Sequence, residues 1–183
     1  MTFDGFGKII VMTAQPQQYL IKDNGIFPGS SFPVLLYKSA FTIPTFFPSR
    51  RIKNKLIANG WTNTWRNGIY TRQHYHSNTH EAIAVIKGHT TLLLGGENGI
   101  QIGIQKGDVL VLPAGVAHKN LGKMNDVRCV GAYPEGCDYD MKFGDIGERP
   151  LADKNIAAIP LPDSGPVAGQ QDILVAIWAE VNN

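Results

Sequence analysis

The sequence predicts an all-β protein, a sandwich or barrel of short antiparallel strands with extended terminal arms and one short helix. From Trp61 onward apolar and polar residues alternate with a period of two, turn dipeptides recur at short intervals, and helical spacing is confined to one stretch. With 183 residues and 43% hydrophobic content, the chain is long enough for a single domain with a full core. Its predicted organisation is a core barrel over 61–133, an N-terminal arm and helix over 1–60, and a C-terminal wrapping segment over 134–183.

The arm is rich in Pro16, Pro28, Gly29, Pro33, Pro44 and Pro48 and holds one strand-like run, VLLYKSAF, so it is expected to pack on the core rather than fold alone. Ser49 has the character of an N-cap, Ile52, Leu56 and Ile57 fall at helical spacing, and Gly60 stands where a glycine ends a helix, which predicts a helix over about 50–59. WTNTWR, Asn67-Gly68 and IYTRQHYH then read as a hairpin with a type I′ turn. A second hairpin is expected at Asn98-Gly99, between TTLLLGG and IQIGIQ, and Lys106-Gly107 turns the chain into DVLVLP. Beyond Tyr133 come Pro134, Pro150, Pro160, Pro162 and Pro166, then the apolar run ILVAIW, read as an added edge strand.

Composition narrows the function classes. A net charge of +2 gives no broad electrostatic footprint for nucleic acid, and Arg50, Arg51, Lys53 and Lys55 read as the solvated face of one helix. Cys129 and Cys137 are too few for a disulfide framework and read as reduced thiols. Nowhere do 18 apolar residues follow one another, and the amino terminus has a broken apolar run, so the expectation is a cytoplasmic protein with no membrane or nucleic-acid partner. The apolar runs VLLY and ILVAIW, read as exposed edges, suggest a homodimer that would cover them.

The chemistry concentrates in HYHSNTHE, residues 74–81, which holds three of the five histidines. On a strand, Tyr70, Arg72, His74 and His76 project to one face, so two imidazoles face the same space. Glu81 opens the next apolar run, EAIAVI, and His118 follows a Pro-Gly turn in PAGVAHKN. His80, of opposite parity, and His89, after the Gly88 turn, are left out of the set. A lone histidine is more often an ordinary hydrogen-bonding residue than a ligand; the pairing is what points to a metal.

Two spaced patterns carry a resemblance. Gly68, His74, His76, Glu81 and Gly88 read G-x5-H-x-H-x4-E-x6-G, and Gly107, Pro113, Gly115 and His118 read G-x5-P-x-G-x2-H, fixing nine identities across 51 positions. This resembles the two signature motifs of the cupin superfamily. The flanking stretches NGWTNTWRNGIY, VGAYPEG, ERPLAD and IAAIPLPDSGPV are similar to the YjlB-like subgroup of single-domain cupins. The resemblance implies a jelly-roll barrel, the double-stranded β-helix, with one divalent metal held by His74, His76, Glu81 and His118. Many cupins carry an Asn four residues after the last His; here Asn120 follows after two, which puts a role for that Asn in doubt.

Three neutral imidazoles and one carboxylate around a divalent ion leave a net positive centre with open positions, compatible with Fe, Mn, Ni, Co, Zn or Cu. Such a centre binds a small organic anion and lowers its pKa; with a redox-active metal it also serves dioxygen chemistry. The expected function is a metal-dependent, dioxygenase-like oxidoreductase acting on a small-molecule substrate. A non-catalytic metal-binding or sensing module and a sugar isomerase or epimerase are the alternatives. Tyr70 and Arg72, on the face of the two histidines, are the candidate substrate wall, with the Arg72 guanidinium matched to a carboxylate. Ile83, Val85, Val109 and Val111 are expected to fill the barrel core.

Overall fold

A computed structural model of the chain describes residues 9, 11 and 15–181; the first part of the expected arm lies outside these. In chain order the elements are β1 (Gln17–Tyr19), β2 (Val34–Tyr37), α1 (Pro48–Ala58), β3 (Trp61–Asn67), β4 (Glu81–Leu94), β5 (Ile100–Gln105), β6 (Val109–Leu112), β7 (His118–Asn120), a 3-10 turn (Met124–Asp126), β8 (Val127–Pro134), α2 (Leu151–Ala158) and α3 (Ile173–Val181). Every pairing between these strands is antiparallel.

The long strand β4 joins two layers into a jelly roll. Its first half lies between β6 and β8 in the order β1-β2-β6-β4-β8-β3, with Glu81 opposite Leu112 and Ala82 opposite Ala132. Its second half pairs with β5 and β7, with His89 opposite Gln105 and Leu94 opposite His118. A register shift against β8 between Val85 and Lys87 falls where β4 passes from one layer to the other, as a bulge that bends a strand would.

Side-chain alternation sorts β4 into two cores. Ile83, Val85, Leu92 and Leu94 point inward with Leu36, Ile102, Ile104, Leu110 and Cys129. Ala82, Ala84 and Ile86 point outward and, with Val109 and Val111, pack under Ile52 and Leu56 of α1 and Leu174 and Trp178 of α3. The expected core residues are therefore split: Ile83 and Val85 fill the barrel, whereas Val109 and Val111 lie on the outer face beneath helices. Cys129 and Cys137 are both free, the first buried and the second exposed.

Several local expectations are corrected. Asn67-Gly68 makes no type I′ turn, since neither residue has a positive φ. β3 pairs instead with β8, placing Asn67 opposite Cys129, and residues 69–73 are not strand. Gly68 is required by crowding, because a Cβ there would lie 1.8 Å from the Met124 carbonyl oxygen. The second hairpin forms between β4 and β5, but through the loop 95–99, in which Gly95 and Gly96 carry the positive φ. The first helix starts at Pro48, whose missing N–H costs nothing at a helix start, so Ser49 is not its N-cap.

The run ILVAIW is helix, not an edge strand. Asp172, just before it, accepts the N–H of Leu174 (3.1 Å) and those of Val167 and Ala168 (2.9 and 3.0 Å), anchoring the first turn. Leu174 and Trp178, four apart, are fully buried, and the Trp178 indole donates to the Pro33 carbonyl (3.0 Å). An apolar run without alternation has no period to separate helix from strand, and packing decides. β2 in turn lies between β1 and β6. Both apolar runs that suggested a dimer are thus covered within the chain.

Inside the barrel the ring of Trp65 lies flat against the backbone of Gly131, where an added Cβ would meet ring atoms at 2.0 to 2.3 Å. Gly131→Ala should therefore lower stability by about 1–3 kcal/mol, the usual range for overpacking, read as a lower urea midpoint with an unchanged slope.

Candidate metal centre

The segment His74–His76 is a short extended piece held on both edges. On one side His74 N–H donates to the His118 carbonyl (3.2 Å), His118 N–H to the His74 carbonyl (2.8 Å), and Gly115 N–H to the His76 carbonyl (2.8 Å). On the other side Tyr75 and Lys142 exchange two bonds of 2.9 Å. Alternation holds across this piece: His74 and His76 face the barrel interior, and Tyr75 turns away to pack on Phe27 and donate to Glu148 (3.0 Å). β7, antiparallel to the end of β4, brings His118 to the same place.

The three imidazoles are buried, and their ligand atoms lie within 4.8 Å of one another. Each ring offers Nδ1 to a backbone carbonyl: His74 to Arg72 (2.9 Å), His118 to Val116 (3.2 Å) and His76 to Asp140. A carbonyl only accepts, so Nδ1 carries the hydrogen and each Nε2 keeps a free lone pair. His80 is the reverse case. Its Nδ1 accepts the Ala114 N–H (3.0 Å) and its ring packs on Trp178, away from the centre. His89 is exposed on β4.

Glu81 stands at the head of β4 and points inward with Ile83 and Val85. Its Oε1 accepts from the Trp65 indole and the Tyr133 hydroxyl, both at 3.1 Å. Its Oε2 is buried with no hydrogen-bond partner among the described residues, 3.3 Å from His76 Nε2 and 3.6 Å from His118 Nε2. Lone pairs facing a carboxylate oxygen at this range repel unless a proton or a metal ion lies between them. The donor set therefore fits a divalent cation: His74, His76 and His118 would hold it through Nε2, with Glu81 Oε2 beside them.

Charge and burial act against each other here. Burial, then the neighbouring His74, pushes His118 down to about 3, and burial also lowers His74. Burial alone would lower His76 as well, but the adjacent Glu81 carboxylate and the Asp140 carbonyl outweigh it and leave it raised. Burial would raise Glu81, yet the facing imidazoles, His76 first, hold it down to about 2 through the charge they carry when protonated. Burial and then Glu81 keep the Tyr133 hydroxyl protonated, so it serves as a donor.

A cavity of about 150 Å³ opens above this floor, lined by Trp65, Ile69, Tyr70, Ile83, Tyr133, Tyr139 and Met141. Tyr70 is exposed at its mouth and meets His74 edge-on at 5.5 Å. Arg72 is not part of the lining; its guanidinium sits 3.8 Å over the Phe143 ring, because residues 69–73 do not continue as a strand that would carry the alternation back to it. Trp65, Tyr133, Tyr139 and Met141 were not singled out in the sequence. Trp65 and Tyr133 become neighbours of Glu81 only through the pairing of β3 with β8 and β8 with β4. Asn120 lies clear of the centre, bonding Thr90, Gly122 and Lys123.

A family profile described as a cupin domain matches residues 64–130. The uncharacterized protein YjlB of Bacillus subtilis is 36% identical over 170 residues, which cover 92% of this chain and 100% of that protein. The chain belongs to the cupin family. Among solved structures, this cupin is similar to the acireductone dioxygenase of Bacillus anthracis, which carries cadmium in its active centre, at 13% identity and TM-score 0.36, over 50% of this chain and 61% of that one. It is also similar to procruciferin, an 11S globulin of Brassica napus, at 14% identity and TM-score 0.34, over 43% of this chain; it spans only 21% of that protein. No helix among the described residues is long and apolar enough to cross a membrane.

Tyr133→Phe removes one of the two donors to Glu81 Oε1. In metal-free protein it should cost about 1–3 kcal/mol, the penalty for weakening the bonds of a buried charge, measured by chemical denaturation.

Proposed function

We propose that this cupin is a metal-dependent oxidoreductase of the dioxygenase kind acting on a small organic anion, with His74, His76, Glu81 and His118 as the ligands of one divalent ion. The observation that carries the reading is Glu81 Oε2, buried without a hydrogen-bond partner among the described residues and turned toward the Nε2 lone pairs at the floor of the cavity. Three neutral imidazoles and one carboxylate leave a divalent ion with a net charge of +1, which favours an anionic ligand. A bound redox-active ion would supply Lewis acidity and access to dioxygen chemistry.

The chain's own residues do the rest. Trp65 and Tyr133 fix Glu81 through Oε1 and leave Oε2 for the cation. The aromatic rings of Trp65, Tyr70, Tyr133 and Tyr139 line the cavity and limit water around the ligand. Tyr70 replaces the pair Tyr70 and Arg72 as the substrate wall. The chain acts as one cytoplasmic domain in this proposal; a homodimer remains part of it and is tested by light scattering at high micromolar concentration.

Metal content per chain, measured on protein purified without added metal, should fall by at least 10-fold in His76→Ala and in Glu81→Ala and stay at the wild-type level in His89→Ala. Wild-type content in both ligand variants would refute the ligand set. Substrate-dependent oxygen uptake in a screen of small organic acids supports the oxidoreductase. Full metal occupancy without turnover favours the non-catalytic binding module.

A further inference from the structure

His76 differs from the other two imidazoles in what orients it. His74 and His118 take their carbonyls from Arg72 and Val116, each two residues earlier in the same piece of chain, so local backbone sets both rings. His76 instead depends on the carbonyl of Asp140, 64 residues away on the segment that follows β8. That segment must be held in place for the ring to be held.

We propose that Ser77 and Asp140 form a clamp of positioning residues that fixes the Asp140 carbonyl against His76 and so keeps its Nε2 lone pair aimed at the metal position. This rests on the reading of the three histidines as a metal centre. The Asp140 carboxylate accepts the Ser77 N–H through Oδ1 (2.6 Å) and the Ser77 hydroxyl through Oδ2 (2.5 Å). Ser77, fully buried, follows His76 directly, so carboxylate and carbonyl of one residue grip two successive residues. Asn155 of α2 donates to the Ser77 hydroxyl (3.1 Å), which ties the clamp to that helix. Asn78 closes the other side, accepting the Asp140 N–H (2.9 Å) and donating to the Asp138 carbonyl (3.0 Å).

The same segment carries part of the cavity wall. Tyr139 stacks on Tyr133 at 4.9 Å between centroids and meets His76 edge-on at 5.3 Å, and Met141 lines the cavity. The clamp thus sets the third imidazole and the wall beside it together. A loosened carbonyl would let the ring turn or take the other tautomer, placing a hydrogen on the nitrogen that must bind.

The test uses the full chain with ¹⁵N-labelled histidine, metal-free, at alkaline pH where the rings are neutral. In the wild type His76 should be a single Nδ1–H tautomer. Ser77→Ala and Asp140→Ala should give a mixture at His76 while His74 and His118 keep theirs, and Ser77→Thr, which keeps the hydroxyl, should restore the wild-type pattern. Co²⁺ affinity, measured by competition with a chelating dye, should fall about 10- to 100-fold in the two alanine variants and stay within about twofold in Ser77→Thr. An unchanged His76 tautomer, or Co²⁺ affinity within about twofold of wild type in Ser77→Ala, overturns the clamp, even if thermal stability falls. If Asp140→Ala does not fold, the Ser77→Ala and Ser77→Thr pair decides. Failure of the wild type itself to take up Co²⁺ or Zn²⁺ would overturn the metal reading, whereas wild-type uptake with unaffected variants overturns the clamp alone.

Discussion

The buried carboxylate of Glu81 is the constraint around which the interior is arranged. Removing such a charge from water costs several kcal/mol, so its surroundings must return most of that through bonds and opposite charge. Oxygen Oε1 is supplied by two donors from two different strands, Trp65 on β3 and Tyr133 on β8. Oxygen Oε2 has no hydrogen-bond partner among the described residues and faces the three imidazoles, which are placed to hold a metal ion. Both donors require the order β4-β8-β3, and Trp65 reaches Oε1 only because Gly131 leaves room for its ring. The topology of one sheet is in this sense the wiring of one carboxylate.

That arrangement in turn dictates the outer layer. A strand that buries Glu81, Ile83 and Val85 inward also places Ala82, Ala84 and Ile86 on its outer face, and this face is apolar as well. A sheet apolar on both faces needs cover on both, which the second layer supplies inside and helices α1 and α3 supply outside. The small residues Ala82, Ala84 and Ala132 on the outer face let Trp61, Trp178 and Leu56 pack closely against it.

The sequence carried the jelly-roll class and the gathering of His74, His76 and His118 more plainly than the local elements around them. His74 and His76 share a face because alternation over three residues survives even where no long strand forms. The turn at Lys106-Gly107 and the end of α1 at Gly60 were legible because positive φ at a glycine is a local signal. What failed was decided at long range. Asn67-Gly68 had the composition of a hairpin turn, but β3 found its partner in β8, some sixty residues later in the chain. ILVAIW had no period to read, and its helix is settled by Asp172 and by the surface that Leu174 and Trp178 cover. Arg72 was placed by extending the alternation past the point where the backbone keeps it.

The family profile ends at residue 130, and the chemistry of the cavity does not. Within the profile lie the three histidines, Glu81 and Trp65, enough to define a cation position. Beyond it lie Tyr133, which fixes the carboxylate, Asp140, which accepts from His76, and Tyr139 and Met141, which line the cavity. The match to YjlB continues over that protein's whole length, so these later segments belong to the unit that the two chains share rather than to an appendage of this one. A core of β-strands with two locally oriented imidazoles is a generic platform. The third imidazole's carbonyl partner and part of the aromatic wall come from the chain that wraps back over it, so much of the cavity's lining sits outside the motifs that announce the fold.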